Sequence, residues 1–335
     1  MVGAVVVREG QVVGEGFHAE FGGPHAEVAA LAAAGERARG AEVFVTLEPC
    51  AHHGKTPPCV EALISAGVRR VSFAVRDPNR VAGGGAERLR AAGILVTEGV
   101  EAVAAVELNA AFLFAHHDAT RPFVTLKLAV SLDGALAPGD RSQQWLTGER
   151  ARRYVHRMRA ASDAVAVGVG TAIADDPALT VRSGRRPRIA PKRIVFDPTA
   201  RLPVASKLVR TARKVPTWLV SASPSPAGAG PLERSGVRVI AANGLAAQLG
   251  ALRHEGIHHL LVEGGAGLAG SLLSGGFVDR LVIFRAPVLL GAGALTAFGS
   301  VSPGAGSQER WRVVERRVFD DDAMTVYAPL LSFSR

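Results

Sequence analysis

Three side chains able to bind a soft metal ion, His25, Cys50 and Cys59, sit near a carboxylate, Glu27, two residues beyond the histidine. A fold that uses them must press the segment opening at His25 against the segments at Cys50 and Cys59, and no other feature constrains the chain as strongly. Zinc accepts imidazole nitrogen and thiolate sulfur. Three protein ligands leave a fourth tetrahedral position for water, whose pKa the metal lowers to about 7. Glu27 is close enough to take a proton from that water and hand it to a leaving amine.

His25-Ala26-Glu27 followed by Pro49-Cys50 resembles the H-x-E and P-C-x-x-C pattern of zinc nucleobase deaminases, except that Cys59 lies nine positions after Cys50 rather than three. Other readings compete. A closed structural site would recruit His52 or His53 as a fourth ligand. A Cys50–Cys59 disulfide conflicts with a chain that has only these two cysteines and no signal peptide, which reads as a reduced cytoplasmic protein. Inert core cysteines conflict with the prolines and polar residues that flank both.

At 335 residues the chain suits two domains, and no apolar run approaches the roughly 20 residues that span a bilayer. The net charge of +9 is uneven. Acidic residues outnumber basic ones up to residue 118, and all the basic excess falls in 119–335. Basicity raises nucleic acid as a partner, but aromatics are 5% of residues and the arginine clusters lack interleaved rings to stack on bases. Small phosphorylated ligands gripped by arginine account for the charge better.

Residues 2–7 and 12–17 read as a hairpin, 24–34 as a helix, 42–46 as a strand, 57–66 as a helix and 70–75 as a strand, an α/β pattern. Residues 115–122 break the periodicity and read as a linker between domains 1–118 and 119–335. Strands are predicted at 123–128, 164–168, 194–197, 218–220, 260–263, 280–284 and 312–318. A helix is predicted at 149–159 and a loop at 221–231. Strands separated by helices predict a second, mostly parallel α/β domain. Gly265-Ala266-Gly267-Leu268-Ala269-Gly270 forms G-x-G-x-x-G between a predicted strand and helix, where backbone amides can approach a phosphate. No acidic residue follows about 20 positions on, as a dinucleotide fingerprint requires.

Taken together, these residues resemble the bifunctional riboflavin-biosynthesis deaminase-reductase family. Pro24-His25-Ala26-Glu27, the run from Thr46-Leu47-Glu48-Pro49-Cys50 to Thr56-Pro57-Pro58-Cys59, and Asp77-Pro78-Asn79 are similar to its deaminase half. Lys127-Leu128-Ala129, Ser131-Leu132-Asp133-Gly134, Gln144-Trp145-Leu146-Thr147, Asp175-Asp176-Pro177 through Arg182, and Val262-Glu263-Gly264-Gly265 are similar to its reductase half. The long cysteine spacing is the family's own. The resemblance implies a cytidine-deaminase-like N-terminal domain and a dihydrofolate-reductase-like C-terminal domain. In the first, Zn2+ on His25, Cys50 and Cys59 with Glu27 as proton carrier would deaminate 2,5-diamino-6-(5-phosphoribosylamino)pyrimidin-4-one. In the second, NADPH would reduce the ribosyl side chain of 5-amino-6-(5-phosphoribosylamino)uracil to ribityl.

Carried over by motif, Ala129, Trp145, Thr171, Asp175 and Gly265, Ala266, Gly267, Leu268, Ala269, Gly270 and Ser271 match cofactor-binding positions. Gln143, Arg159, Leu179, Arg182 and Glu263 match substrate-binding ones. The Ser142-Gln143-Gln144-Trp145 run is one residue longer than the family's, so Ser142 and Gln143 both stand as candidates. Family members normally open with a helix and an Asn-Pro pair before Val-Gly-Ala. Here Met1 directly precedes Val2-Gly3-Ala4, so either the chain start lies upstream or that helix and its pyrimidine-holding asparagine are missing. The family further implies a cytoplasmic dimer or tetramer joined through its reductase domains, acting on small phosphorylated pyrimidines, with no membrane or nucleic-acid partner. Two alternatives remain open at this stage: a zinc deaminase acting on RNA bases with a basic nucleic-acid-binding second half, and a non-catalytic zinc-stabilised binding module.

Overall fold

Short runs rich in β-branched and other apolar residues produce the strands, and short helices return the chain between them. The computed structural model describes the chain except for Met1, Phe21, Arg80, Asp118, Arg141, Ser300 and residues 143–144, 185–186, 223–225, 302–310 and 331–335. The chain divides into two compact units, Met1–Asp118 and Ala119–Arg335.

In the first unit β1 (Gly3–Arg8), β2 (Gln11–Phe17), β3 (Glu42–Leu47), β4 (Arg70–Val75) and β5 (Leu95–Glu98) form one sheet in the order β2-β1-β3-β4-β5. β1 runs antiparallel to β2 and β3, whereas β3, β4 and β5 are parallel. Helices α1 (Ala26–Ala34), α2 (Cys59–Ser65) and α3 (Gly85–Ala91) make the connections from β2 to β5, and α4 (Ala102–Leu108) and α5 (Ala110–His116) follow β5. Ala115 and His116, at the start of the segment read as a linker, thus close α5. Val6, Val43, Val71 and Phe73 of the sheet pack with Ala30, Leu63 and Leu89 of the helices.

In the second unit β6 (Phe123–Val130), β8 (Ala164–Gly168), β9 (Lys192–Phe196), β10 (Thr217–Ser221), β11 (Arg238–Ala241), β12 (His259–Glu263), β13 (Arg280–Arg285), β15 (Trp311–Phe319) and β16 (Asp322–Pro329) form a nine-stranded sheet. Its order is β11-β10-β9-β8-β12-β6-β13-β16-β15, parallel from β11 to β13 and antiparallel beyond. A short pair, β7 (Ala135–Ala137) with β14 (Leu295–Thr296), stands apart from it. The helices are α6 (Glu149–Ala160), α7 (Val169–Asp175), α8 (Lys207–Arg210), α9 (Pro226–Arg234), α10 (Leu245–His254) and α11 (Ala266–Ser274).

Successive residues of the parallel strands point to opposite faces. Ala164, Ala166, Ile194, Leu260 and Val262 meet α10 and α11, while Val165, Val167, Val195 and Leu261 meet α7, α8 and α9. Both faces are covered, which explains the near-continuous apolar strands. The predicted loop at 221–231 is corrected by α9. Gly228, Gly230 and Pro231 are poor helix formers, but Ala229 and Leu232, three apart, bury against the sheet and tertiary packing overrides propensity. The β16 strand also lay outside the sequence reading.

Helix α1 lies directly on the backbone of β2. A Cβ on Gly14 would stand 2.3 Å from the Ala30 carbonyl oxygen, and one on Gly16 would stand 2.3 Å from the Ala30 nitrogen. Only glycine permits this approach, and it sets the height of α1, hence of His25, above the sheet. Gly16→Ala is expected to destabilise the first unit by roughly 3 kcal/mol, read as an earlier denaturant midpoint of the full chain together with reduced zinc retention. A midpoint equal to that of the unsubstituted protein would contradict the close packing.

Candidate active sites

In the first unit three elements converge. His25 caps α1 with extended backbone, φ −70° and ψ 161°, and Cys59 is the first residue of α2. Cys50 lies in the segment after β3. Its sulfur accepts the Cys59 backbone N–H at 3.3 Å, and its carbonyl accepts the Val60 N–H at 3.3 Å. Cys50, nine residues before α2, therefore meets that helix's N-terminus through space, and both cysteines are free and buried.

His25 Nδ1 is 3.2 Å from Cys59 Sγ and 3.4 Å from Cys50 Sγ, and the three ligand atoms lie within 4.8 Å of one another. With Zn–S of about 2.3 Å and Zn–N of about 2.0 Å, tetrahedral geometry separates nitrogen and sulfur by about 3.5 Å. The donor set fits zinc in chemistry and spacing. Neither His52 nor His53 belongs to this group among the described residues, which argues against a closed four-ligand site. The His52 Nδ1 atom is buried without a hydrogen-bond partner, and His53 faces Glu61 on the surface.

Electrostatics favour the same reading. The Cys59 thiol, the Cys59 backbone N–H and His25 hold the Cys50 thiol well below its usual range despite burial, and the Cys50 partner pushes Cys59 up. Two buried sulfurs this close cannot both ionise without a cation. Glu27, in the first turn of α1, is buried, and that burial pushes its carboxyl up; the Cys59 thiol and His25 oppose the shift.

Glu48 supports the cysteine segment, a role the sequence reading did not assign. Its buried carboxylate accepts the Ala86 N–H at 3.0 Å and the Asp77 N–H at 3.2 Å, tying the end of β3 to α3 and to the Asp77-Pro78-Asn79 turn. A Cβ on Gly85 would stand 1.8 Å from the Pro49 carbonyl oxygen, so α3 also presses on the residue before Cys50.

In the second unit a cleft of about 240 Å³ opens between α6 and the ends of β6 and β12. Its lining includes Ala129, Trp145, Arg159, Arg182 and Glu263, five of the positions expected from sequence. Lys127 and Glu263 are register partners on adjacent parallel strands and share a face. Arg159 grips Glu263 in a two-pronged pair, Nε to Oε1 at 2.5 Å and a terminal nitrogen to Oε2 at 2.8 Å, and donates again to the Thr180 carbonyl at 2.9 Å. Burial opposes ionisation of Glu263, but Arg159, Lys127 and His156 outweigh it and hold its carboxyl below the usual range. Burial pulls Lys127 and His156 down.

Lys127, Arg152 and His156 also line the cleft; Lys127 stood in a motif without a site role, and the other two were not singled out from sequence. A signal existed: Arg152, Val155, His156 and Arg159 recur at helical spacing on α6, a stripe too polar for core contact. Trp145 is 69% exposed at the rim, with the Arg152 guanidinium 5.2 Å from its ring centre.

Thr171 and the glycine turn form a second cradle on neighbouring strands. β8 runs into α7 and the adjacent β12 into α11, capped by Gly265. Thr171 Oγ1 donates to the Gly264 carbonyl at 3.4 Å, and a Cβ on Gly265 would stand 2.4 Å from that hydroxyl. Gly265, with φ 102°, can only be glycine here. Gly267 has open space around its Cα, whereas Ala266, Ala269 and Gly270 face the core. Leu268 reaches within 3.4 Å of a Cβ placed on Gly168, and Ser271 bonds back to the Gly267 carbonyl. Asp175 closes α7, where burial pushes its carboxyl up. Leu179 is 2% exposed, so any ligand contact there belongs to its backbone. Gln143 lies outside the described residues.

Comparison with known proteins follows the two units. The cytidine and deoxycytidylate deaminase zinc-binding region matches residues 1–75, and the RibD C-terminal domain matches residues 122–325. The riboflavin biosynthesis protein RibD of Aquifex aeolicus is 45% identical over 295 residues, covering 87% of this chain and 82% of its own. That of Escherichia coli K12 is 42% identical over 312 residues, covering 88% and 83%. A solved Acinetobacter baumannii RibD superimposes with a TM-score of 0.83 at 38% identity, over 98% of this chain and 92% of that one. A Thermotoga maritima structure, titled a diaminohydroxyphosphoribosylaminopyrimidine deaminase/5-amino-6-(5-phosphoribosylamino)uracil reductase, gives 0.82 at 33% identity over 98% and 91%.

Because its folded pKa is depressed, Glu263, paired with Arg159, contributes stability above its unfolded value of 4.5, and that contribution is lost as pH falls through the folded value. Glu263→Gln is expected to cost about 3 kcal/mol near pH 7, with the gap to the unsubstituted protein closing below pH 4.5 in urea titrations. A gap independent of pH would show that the carboxylate's charge is not what holds the pair.

Proposed function

This chain belongs to the RibD family of riboflavin biosynthesis proteins, and on that premise we propose that residues 1–118 carry its deaminase site and residues 119–335 its reductase site. The protein is a bifunctional riboflavin-biosynthesis enzyme, a zinc-dependent deaminase and an NADPH-dependent reductase acting on small phosphorylated substrates. Its substrates are those for which the Thermotoga relative is named: a diaminopyrimidinone carrying a phosphoribosylamino group, and the corresponding aminouracil.

The observation that carries the deaminase assignment is the convergence of His25, Cys50 and Cys59 with the buried carboxyl of Glu27. Zinc held there supplies the Lewis acidity that makes water a nucleophile at neutral pH. Glu27 accepts the proton that water loses and returns it to the departing amine, and a carboxyl pushed up by burial suits both transfers.

In the second unit NADPH supplies the hydride. The Thr171 and Gly265 cradle, where two helices start at the carboxyl ends of adjacent strands, suits its phosphates. Asp175 and the turn through Ser271 complete that side by motif. The arginine-rich cleft receives the substrate: Arg182 and the half-buried Lys127 bring positive charge to a phosphorylated sugar and Arg159–Glu263 forms a rigid floor, while Ala129 and the rim residue Trp145, matched by motif to the cofactor, line the same cleft where the two meet. Gln143 joins the substrate side by motif. Among the described residues no helix is long and apolar enough to cross a membrane. A cytoplasmic dimer or tetramer joined through residues 119–335 is the assembly this reading favours.

Glu27→Gln tests the assignment. The variant is expected to keep its zinc while ammonia release from the diaminopyrimidinone falls at least about 100-fold and NADPH oxidation with the aminouracil is unchanged. Loss of zinc would make Glu27 a ligand and refute its role. Cofactor choice is a second check: the basic second half should favour NADPH over NADH in kcat/KM, and equal values would refute recognition of the cofactor's extra ribose phosphate by this unit.

A further inference from the structure

Arg193, at the start of β9, heads the largest fully buried side chains and is 1% exposed. No carboxylate is paired with it among the described residues. Its guanidinium is engaged by neutral acceptors. One terminal nitrogen donates to the Ala178 carbonyl at 3.3 Å and to Thr211 Oγ1 at 2.8 Å. The other donates to the Leu208 carbonyl at 3.2 Å, the Val215 carbonyl at 2.7 Å and Thr217 Oγ1 at 2.6 Å. Its Nε has no partner, and burial pushes its pKa down to about 10. An enclosed cation without a counter-charge is a poor way to gain stability, because an apolar side chain of similar volume packs at lower cost. What a guanidinium does that methionine cannot is hold carbonyls from separate segments in a fixed arrangement.

One of those segments, residues 176–182, links α7 to the cleft. Asp176 at φ 39° and Leu179 at φ 49° are both left-handed without being glycine, a conformation that persists only when its surroundings enforce it. The enforcement is visible. Asp176 Oδ1 accepts the Lys207 N–H at 2.7 Å, and the Leu179 side chain is buried with Leu208 and Val209. The Thr180 carbonyl accepts from Arg159, and the Arg182 N–H donates to His156 Nδ1 at 3.3 Å. The Ala178 carbonyl, between the two left-handed residues, is held by Arg193.

We propose that Arg193 is a positioning residue for the substrate side of the reductase cleft, fixing the 176–182 segment through the Ala178 carbonyl so that Arg182 and the Arg159–Thr180 contact meet a phosphorylated ligand in one geometry. Arg193 itself touches no ligand. The inference rests on the reading of this cleft as the substrate site.

The test is steady-state reduction by the full-length protein, varying the aminouracil ribosyl phosphate and NADPH separately, for Arg193→Met, Arg193→Lys and Thr211→Val, with Arg182→Ala as reference. Displacing a binding segment by an ångström can cost up to about 100-fold. Arg193→Met is expected to raise the KM for the aminouracil about tenfold, with kcat less affected and with the NADPH KM and ammonia release unchanged. Arg193→Lys should recover part of the loss. Thr211→Val, a milder change at the same nitrogen, should raise that KM about threefold and carries the test if Arg193→Met does not fold. An aminouracil KM unchanged in every folded variant overturns the proposal whatever the melting temperature, as does an equal rise in the NADPH KM. If Arg182→Ala also leaves the aminouracil KM unchanged, the reading of the cleft falls with it. If Arg182→Ala raises it and the Arg193 and Thr211 variants do not, positioning alone is refuted.

Discussion

A charge withdrawn from water has to be met by donors or by an opposite charge, and in each unit that requirement shapes the ground around a site. In the first unit Glu48 is buried at the end of β3 and accepts N–H groups from the Asp77 turn and from the start of α3. Those bonds fix the segment that carries Cys50. In the second unit Glu263 ends β12 inside the protein, and the planar fork of Arg159 meets both of its oxygens. A lysine could meet only one with comparable direction. Because Arg159 also holds Thr180, the strand end and the segment bearing Arg182 keep a fixed separation.

The two sites use charge in opposite ways. Around the sulfur pair the protein gathers acidic groups that cannot all ionise together unless a cation joins them, and burial favours the protonated forms of Cys59 and Glu27. The cleft of the second unit gathers Lys127, Arg152, Arg159 and Arg182 around a single carboxylate already committed to Arg159, so the surplus is positive and available to an anion. The sign of each surplus is set by which side chains are used up internally.

Much of this was legible in the sequence. The ligands His25, Cys50 and Cys59 were recognisable by type alone, because few arrangements besides metal binding place two cysteines among prolines beside a histidine. The parallel sheet followed from strands separated by helices. What escaped notice depended on long-range packing. Glu48 reads as an ordinary acidic residue until its N–H partners, 29 and 38 positions away, are known. Lys127 looks anomalous within β6 until Glu263 and Arg159 appear beside it. The helix at 226–234 was hidden by its glycines and proline, whose weak propensity is overcome by two buried side chains. Leu179 matched a substrate position by motif, but its side chain belongs to the core, a distinction that spacing does not encode.

The order of strands in the second sheet carries a consequence for how the chain is made. β6 is the first strand of this unit to leave the ribosome, but its two neighbours are β12 and β13, which begin at His259 and Arg280. At typical synthesis rates, the roughly 130 residues separating β6 from β12 represent on the order of ten to twenty seconds. During that interval a strand with almost every side chain destined for the interior has no pairing partner within its own sheet. A nascent chain of this design depends on being shielded until its last third emerges, and a truncation anywhere before β13 would leave β6 without a partner on at least one side.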